Sequence, residues 1–135
     1  MAWGTPTSRS SGIGSSNLTS GGNTLGSEID NETNKDQWAT VELEWTTTAT
    51  STDGESVELY FLYAPDGTSY EDGGASEDPK KSPCAIFIND GGTGAQNQVH
   101  ANIPLSPHKF KPLLKSELSA DCTAGSVTLK IETFN

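Results

Sequence analysis

The sequence is short of positive charge and of hydrophobic residues, and both shortages narrow the possible functions. Eight Lys and Arg stand against 18 Asp and Glu, which gives a net charge of −10. This balance argues against nucleic acid, because phosphate binding needs clustered cations, and against an anionic membrane. Hydrophobic residues make up 32% of the chain, and no apolar run approaches the roughly 18 residues of a membrane-spanning helix. The N-terminus has neither the basic nor the apolar region of a signal peptide. We therefore expect a soluble, acidic, single-domain protein.

Cysteine is also scarce, and the two cysteines point to no cofactor. With no export signal, Cys84 and Cys122 are predicted to be reduced thiols. Together with His100 and His108 they could be imagined as a zinc site. Their spacing, however, matches neither C-x₂-C nor H-x₃-H. The sequence therefore predicts no metal site and no cofactor.

Composition divides the chain near residue 35. From Met1 to Thr24, 17 of 24 residues are Ser, Gly, Thr or Asn, a composition that cannot offset its ordering entropy by burial. Large apolar residues nevertheless recur there, among them Trp3, Ile13 and Leu18. We predict that residues 1–34 form an extended arm that anchors on a neighbouring subunit through these three side chains. The alternative is a flexible tail or an expression artefact.

Residues 35–135 carry the pattern of an all-β domain. Apolar and polar residues alternate from Ala39 to Trp45, as in an antiparallel strand with one face in water. Five further segments are predicted strands: 57–63, 84–88, 98–103, 110–118 (interrupted at Pro112) and 126–134. Turn signals containing Gly, Pro or Asp-Gly separate them. The pattern predicts an antiparallel β-sandwich, jelly-roll-like, as a single domain with the N-terminal arm attached.

No motif indicates catalysis. Glu42 and Glu44 lie on the polar face of one strand, whereas a glycosidase needs carboxylates facing each other across a cleft. The segment Gly91–Gly94 lacks the Lys and Ser/Thr of a phosphate loop, and no G-x-S-x-G elbow occurs. The acidic loop 71–83 is either a calcium site or a solvated loop. We predict that the protein is not an enzyme and has no catalytic residues.

Two groups of residues are candidates for contacts with a partner. Trp38 and Tyr60 could expose aromatic faces that stack on sugars, or could pack in a core. The lysines Lys109, Lys111 and Lys115 form a positive strip on an acidic chain. We expect this strip to lie at a sheet edge and to face an acidic surface of a partner or of another copy. Lysines that merely block pairing at a sheet edge are the alternative.

Two longer segments carry a family resemblance. The segment from Tyr60 to Gly74 reads YFLYAPDGTSYEDGG, and the segment from Val99 to Lys115 reads VHANIPLSPHKFKPLLK. They resemble small virion structural proteins of tailed bacteriophages, in which a strand runs into a D-G-T-x-Y-x-D-G turn. In that family an H-x-x-I-P-L-x-P-x-K-F-K segment precedes the final strand. The resemblance covers residues from about 25 to 135.

The resemblance implies a capsid decoration, or cement, protein. Such a protein binds the outer capsid surface and stabilises capsomer junctions. Its partners are then the major capsid protein and copies of itself, as a homo-oligomer on the particle. Its location is the virion, assembled in the host cytoplasm. A carbohydrate- or receptor-binding module on a tail or fibre is the alternative.

Overall fold

Eight strands and one short helix make up the part of the chain that the computed structural model describes. That part is residues 7–50 and 52–135, with the backbone alone for residues 7–11. The elements are β1 (Thr7–Ser16), β2 (Asn23–Leu25), α1 (Asn31–Asn34), β3 (Trp38–Trp45), β4 (Ser56–Ala64), β5 (Ala85–Ile88), β6 (Gln96–Pro104), β7 (Lys109–Ser116) and β8 (Val127–Phe134). Among these residues no helix has the length and apolar character needed to cross a membrane.

The strands form two antiparallel sheets of four, and the strand order is that of a jelly roll. Sheet 1 has the order β1-β8-β3-β6, and sheet 2 has the order β2-β7-β4-β5. The first strand thus pairs with the eighth, the second with the seventh, the third with the sixth and the fourth with the fifth. This wrapping defines the eight-stranded, double-sheet jelly roll. The predicted all-β sandwich is confirmed.

The core lies between the two sheets and follows from the alternation along each strand. β3 buries every second residue, and Ala39, Val41, Leu43 and Trp45 are all at most 1% exposed. Sheet 2 adds its inward residues, including the ring pair Phe61 and Phe110, whose centroids are 4.6 Å apart. Burial of this apolar surface is the main stabilising contribution to the fold.

From Thr7 onward the N-terminal segment belongs to the sandwich, which corrects the predicted boundary at residue 34. β1 pairs with β8, and β2 pairs with β7. Ile13 is 3% exposed and Leu18 is 2% exposed, and both lie in the protein's own core. A Cβ added at Gly12 would lie 2.2 Å from the Leu129 carbonyl oxygen, so the strand approaches β8 more closely than any larger residue allows. A segment rich in small residues is usually expected to be flexible, but here a small residue allows β1 to pack closely against β8.

β7 is an interior strand, and Pro112 does not interrupt it. The Pro112 carbonyl oxygen accepts a hydrogen bond from Gly26 (2.7 Å), and the Phe110 carbonyl oxygen accepts one from Ile29 (2.7 Å). Ser27 lies between these contacts and makes no ladder pair with β7. Ser27 and Glu28 together face Lys111 between these bonds, so Pro112 borders a bulge, one of the positions in a sheet where proline is tolerated. Because β7 lies between β2 and β4, the expectation that this segment forms a sheet edge was wrong.

Candidate interaction surfaces

The three lysines of the predicted strip lie on the outer face of sheet 2, and each is engaged within the chain. Lys109 lies 3.7 Å from Glu28. Lys115 lies 3.1 Å from Glu117 and 3.3 Å from Asp78, and hydrogen bonds to these two carboxylates raise the pKa of its ammonium group. Lys111 stands 4.4 Å above the centre of the Tyr70 ring. Each lysine of the strip thus has a partner inside the molecule: carboxylates for Lys109 and Lys115, and an aromatic ring for Lys111.

A long loop covers the outer face of sheet 2, and we call residues 65–84 the cover loop. Lys81 ties it to β4, because its Nζ donates to the Phe61 carbonyl oxygen (2.9 Å) and to Glu71 (2.9 Å). Asn23 ties it to β2, because its Nδ2 donates to the Gly74 carbonyl oxygen (3.1 Å). The loop carboxylates that suggested a calcium site enter ion pairs such as Lys80–Asp72 (3.0 Å). In the described parts of the chain no three His, Cys, Asp or Glu side chains are grouped so as to hold a metal ion.

Beneath the cover loop is a second, smaller hydrophobic core. Tyr60, Leu62 and Leu113 are between 0 and 5% exposed there. Burial, followed by a hydrogen bond to Glu58, raises the pKa of Tyr60. Tyr60 therefore offers no exposed ring to a sugar, which corrects that candidate; Trp38 is half-buried. Trp3 lies outside the described residues.

The sequence contains a signal for this second core. β4 is apolar on both faces, with Leu59 and Phe61 directed to the main core and Tyr60 and Leu62 directed outward. A strand that is apolar on both faces must be covered on both, and the long segment that follows it is available to do so. The acidic composition of the cover loop hides this structural role.

The outer face of sheet 1 is open and acidic. Glu42 and Glu44 on β3 share Lys130 on β8, at 3.3 and 3.6 Å. Glu132 lies further along β8 and is exposed. A shallow depression of about 210 Å³ is lined by Thr40, Glu42, Val99, Lys130 and Glu132. Among its described side chains this face presents three carboxylates and one ammonium group.

A cleft lies at one end of sheet 1. Its volume is about 360 Å³, and its lining consists of Glu44, Trp45, Thr46, Ala95, Gln96, Asn97 and Ser126. Asn97 donates to Glu44 over 3.3 Å, and Gln96 accepts a hydrogen bond from the Asp90 N–H over 3.1 Å. The cleft combines a carboxylate, two amides and two hydroxyl groups, the kind of hydrogen-bonding groups that bind sugar hydroxyls.

On one side of the sandwich, the edge strands β5 and β6 of the two sheets face each other. Gln98 of β6 accepts a hydrogen bond from the Ile88 N–H (2.9 Å) and donates to the Ile88 carbonyl oxygen. His100 Nε2 lies 2.8 Å from the Ile86 carbonyl oxygen, to which it donates. We call this side, formed by β5 and β6, the neutral wall. The signal in the sequence is a scarcity of charge: from Ser82 to His108, Asp90 is the only Asp, Glu, Lys or Arg.

The two cysteines lie in different surroundings, and both are free thiols. Cys122 is buried near the end of the sandwich, and burial raises the pKa of its thiol to about 11. Cys84 is exposed, immediately before β5.

Comparison with known proteins adds little to this description. No protein-family model and no curated protein matches the chain. Among solved structures, the chain is similar to TmCBM61 in complex with beta-1,4-galactotriose, with a TM-score of 0.34 and 11% sequence identity. The match covers 87% of this chain and 66% of that one. The class of the protein rests on the strand order given above: it is a jelly-roll β-sandwich.

Proposed function

We propose that the chain is a structural protein of a tailed-phage virion, a decoration protein that binds the outer capsid surface and stabilises capsomer junctions. The observation that carries this proposal is a difference between the outer faces of the two sheets. The cover loop closes the outer face of sheet 2, whereas the outer face of sheet 1 is open and polar. A protein of this shape has one surface suited to docking and another suited to facing solvent. Jelly rolls occur in viral capsid domains and also in lectins, so the fold supports the proposal by analogy only.

The residues behind the family resemblance have structural roles that suit this proposal. Asp66 Oδ1 accepts hydrogen bonds from the N–H groups of Thr68 (2.9 Å) and Ser69 (2.7 Å), which fixes the turn that opens the cover loop. Tyr70 carries Lys111 on its ring, and Gly73, with φ of 142°, packs against Leu62. These motif residues build the cover, and we assign no catalytic role to any of them.

The charge of the open face indicates what kind of capsid surface it fits. Lys109 and Lys115 pair with carboxylates of the chain itself, so the strip offers an acidic partner less free positive charge than its sequence suggests. Among the described side chains of the open face, carboxylates outnumber cations, and Glu132 there is exposed. The proposal therefore replaces the expected acidic partner surface with a basic one. Attraction between such surfaces is screened within about 8–10 Å at physiological salt and acts mainly on the association rate.

A particle-binding measurement with two charge reversals tests the proposal. Glu132→Lys alters the open face, and Asp53→Lys makes the same change in charge at an exposed turn away from it. We expect the parent chain to bind purified particles that lack it, with a rate that falls as salt rises. Glu132→Lys should slow association several-fold at low salt, whereas Asp53→Lys should not. Equal rates for the two variants, or no binding by the parent, would contradict the proposal.

The end cleft favours a second candidate, a sugar-binding module of a tail or fibre. This second candidate rests on the hydrogen-bonding groups around a cleft of about 360 Å³, with Trp45 in the lining. A glycan array combined with a tryptophan fluorescence titration tests it. Saturable binding of one glycan, abolished by Asn97→Ala and retained by Asn34→Ala on α1, would favour this candidate over decoration. No binding across the array would remove it.

A further inference from the structure

We propose that residues 7–13 of β1 exchange between two copies of this chain, so that each copy pairs these residues with β8 of the other copy. The result is a strand-swapped dimer in equilibrium with the closed monomer described above. The inference concerns the chain alone in solution and does not depend on its role on a capsid. It rests on a bulge in β1, on the uneven attachment of the strand on the two sides of that bulge, and on the fit of Gly12 against β8.

A strained bulge lies near the end of β1. The pairing of β1 with β8 shifts register between Ile13 and Ser16, where residues 14 and 15 together face Thr128. Ser15 has a φ of 40° in this bulge, a left-handed conformation that favours glycine. In one common kind of bulge the left-handed residue is indeed glycine, so a serine here is held under strain. A change of Ser15 to an extended conformation would relieve this strain and turn residues 7–13 away from β8 of the same copy.

The chain is held weakly before the bulge and firmly after it. β1 lies at the edge of sheet 1, and Ile13 is the only large apolar residue among its ten, whereas β3 buries four apolar residues. After the bulge, Leu18 is 2% exposed, and its carbonyl oxygen accepts a hydrogen bond from the Cys122 N–H (2.9 Å). Residues 7–13 can therefore leave β8 while the chain beyond the bulge keeps its packing.

The edge of β8 is shaped for this strand, which selects the same strand of a second copy as the occupant. When residues 7–13 leave, β8 presents unpaired backbone groups, and the place of Ile13 in the core is empty. A Cβ at Gly12 would lie 2.2 Å from the Leu129 carbonyl oxygen, and a Cβ at Gly26 would lie 2.5 Å from the Gly12 carbonyl oxygen. A strand with a larger residue in place of Gly12 therefore does not fit. Residues 7–13 of a second copy restore every lost contact, so the exchange costs little.

Net charge and release of the strand set the conditions for the exchange. Each chain carries a net charge of −10, so two copies repel each other at low salt. The only charged residue among residues 7–13 is Arg9, so the exchanged strand brings positive charge to an acidic partner. We expect the dimer fraction to rise with protein concentration and with salt. Dimer formation should be slower than ordinary association, because residues 7–13 must leave β8 first.

Two substitutions of Ser15 should shift the equilibrium in opposite directions, as measured by sedimentation velocity over a range of concentrations. Ser15→Gly removes the strain of the left-handed conformation, so it should favour the closed monomer and lower the dimer fraction several-fold. Ser15→Pro fixes φ near about −65° and removes the N–H that donates to Thr128 Oγ1 over 3.4 Å. It should therefore open the bulge and raise the dimer fraction several-fold.

A disulfide assay with the parent bulge shows which strands pair. Ser8 lies opposite Glu132 in the register of β1 and β8. One sample carries Ser8→Cys and a second carries Glu132→Cys, both with Cys84→Ser because Cys84 is the exposed one of the two natural thiols. When the samples are mixed and oxidised, we expect a covalent heterodimer. Asp53→Cys, at an exposed turn outside both strands, replaces Glu132→Cys as the control and should give several-fold less.

Three results would overturn the proposal. The first is a parent chain that stays monomeric at hundreds of micromolar and gives no more heterodimer with Glu132→Cys than with Asp53→Cys. The second is an equal dimer fraction in Ser15→Gly and Ser15→Pro. The third is a Ser15→Pro variant that stays monomeric while trypsin cuts it faster at Arg9, since residues 7–13 would then detach without exchange. The disulfide assay decides the matter even if Ser15→Pro does not fold.

Discussion

Asp66 shows how a polar residue that suggests a binding site can serve the fold alone. Its carboxylate accepts two backbone N–H groups of the turn it begins, and these bonds, with Ser69 first and Thr68 second, lower its pKa from 3.8 to about 2. The same use of an acid occurs at Asp30, which caps α1 by accepting from the N–H groups of Glu32 and Thr33. Several carboxylates that could suggest an ion site are therefore occupied in turns and caps.

The turn at Asp66 predicts a pH-dependent contribution to stability. Because folding lowers the pKa of Asp66, its ionised form stabilises the fold above pH 3.8, and the contribution disappears as pH falls toward 2. Asp66→Ala should be less stable than the parent at neutral pH, with a difference that shrinks between pH 4 and pH 2. Asp66→Asn is the control, because it keeps an acceptor oxygen but does not titrate. Urea unfolding at several pH values measures both differences, and a constant gap for Asp66→Ala would contradict this account.

Two residues of the core were also predicted wrongly, as anchors on a neighbouring subunit. Ile13 and Leu18 are separated by Gly, Ser and Asn, so no period of two marks them as inward-facing. The information that places them is the close approach of β1 to β8 at Gly12, and this depends on residues more than a hundred positions away. Local composition cannot report such a contact.

Leu18 and Leu25 together test whether the N-terminal segment is part of the domain. Leu18 is 2% exposed and Leu25 is 38% exposed. Leu18→Ala should lower the free energy of unfolding by about 2–5 kcal/mol, because it leaves a cavity in the core. Leu25→Ala should change it by no more than about 0.5 kcal/mol. If chemical denaturation shows the same small effect for both, the segment is the independent arm that its composition suggests.

Among the elements, the positions of the strands from β3 onward were predictable from the sequence. Which strands pair with each other was harder to predict. Alternation along β3 and β8 and the turn signals between strands placed these elements close to their observed bounds. The pairing of β7 with β2 was not predictable, since β2 has three residues and no alternation to detect. That pairing turned an expected edge into an interior strand and brought the lysine strip within reach of Glu28 and Asp78.

The cover loop is an element whose attachment can be tested by neighbouring lysines. Lys81 bonds to β4 through the Phe61 carbonyl oxygen, whereas Lys80 pairs with Asp72 and Glu77 inside the loop itself. Lys81→Ala should loosen the loop and raise its rate of limited proteolysis several-fold. Lys80→Ala, which removes the same charge, should leave the rate close to that of the parent. Equal protection in both variants would show that Lys81 does not hold the loop in place.

At the scale of the whole molecule, three surfaces differ in their chemistry. The cover loop closes the outer face of sheet 2, the neutral wall has few charged residues, and the outer face of sheet 1 is open and acidic. The net charge was evident from composition, but its distribution was not. The distribution of charge depends on which lysines pair with carboxylates of the same chain. Tertiary contacts between loops and strands determine those pairs.

The central claim, that the chain decorates a capsid through the open face of sheet 1, is tested most directly by cryo-electron microscopy of purified particles that contain the chain. The account predicts density for a double four-stranded sandwich on the outer shell, with β8 and β3 toward the capsid and the cover loop toward solvent. Density at the tail or fibre tip, or a capsid-bound sandwich with sheet 1 facing outward, would contradict it.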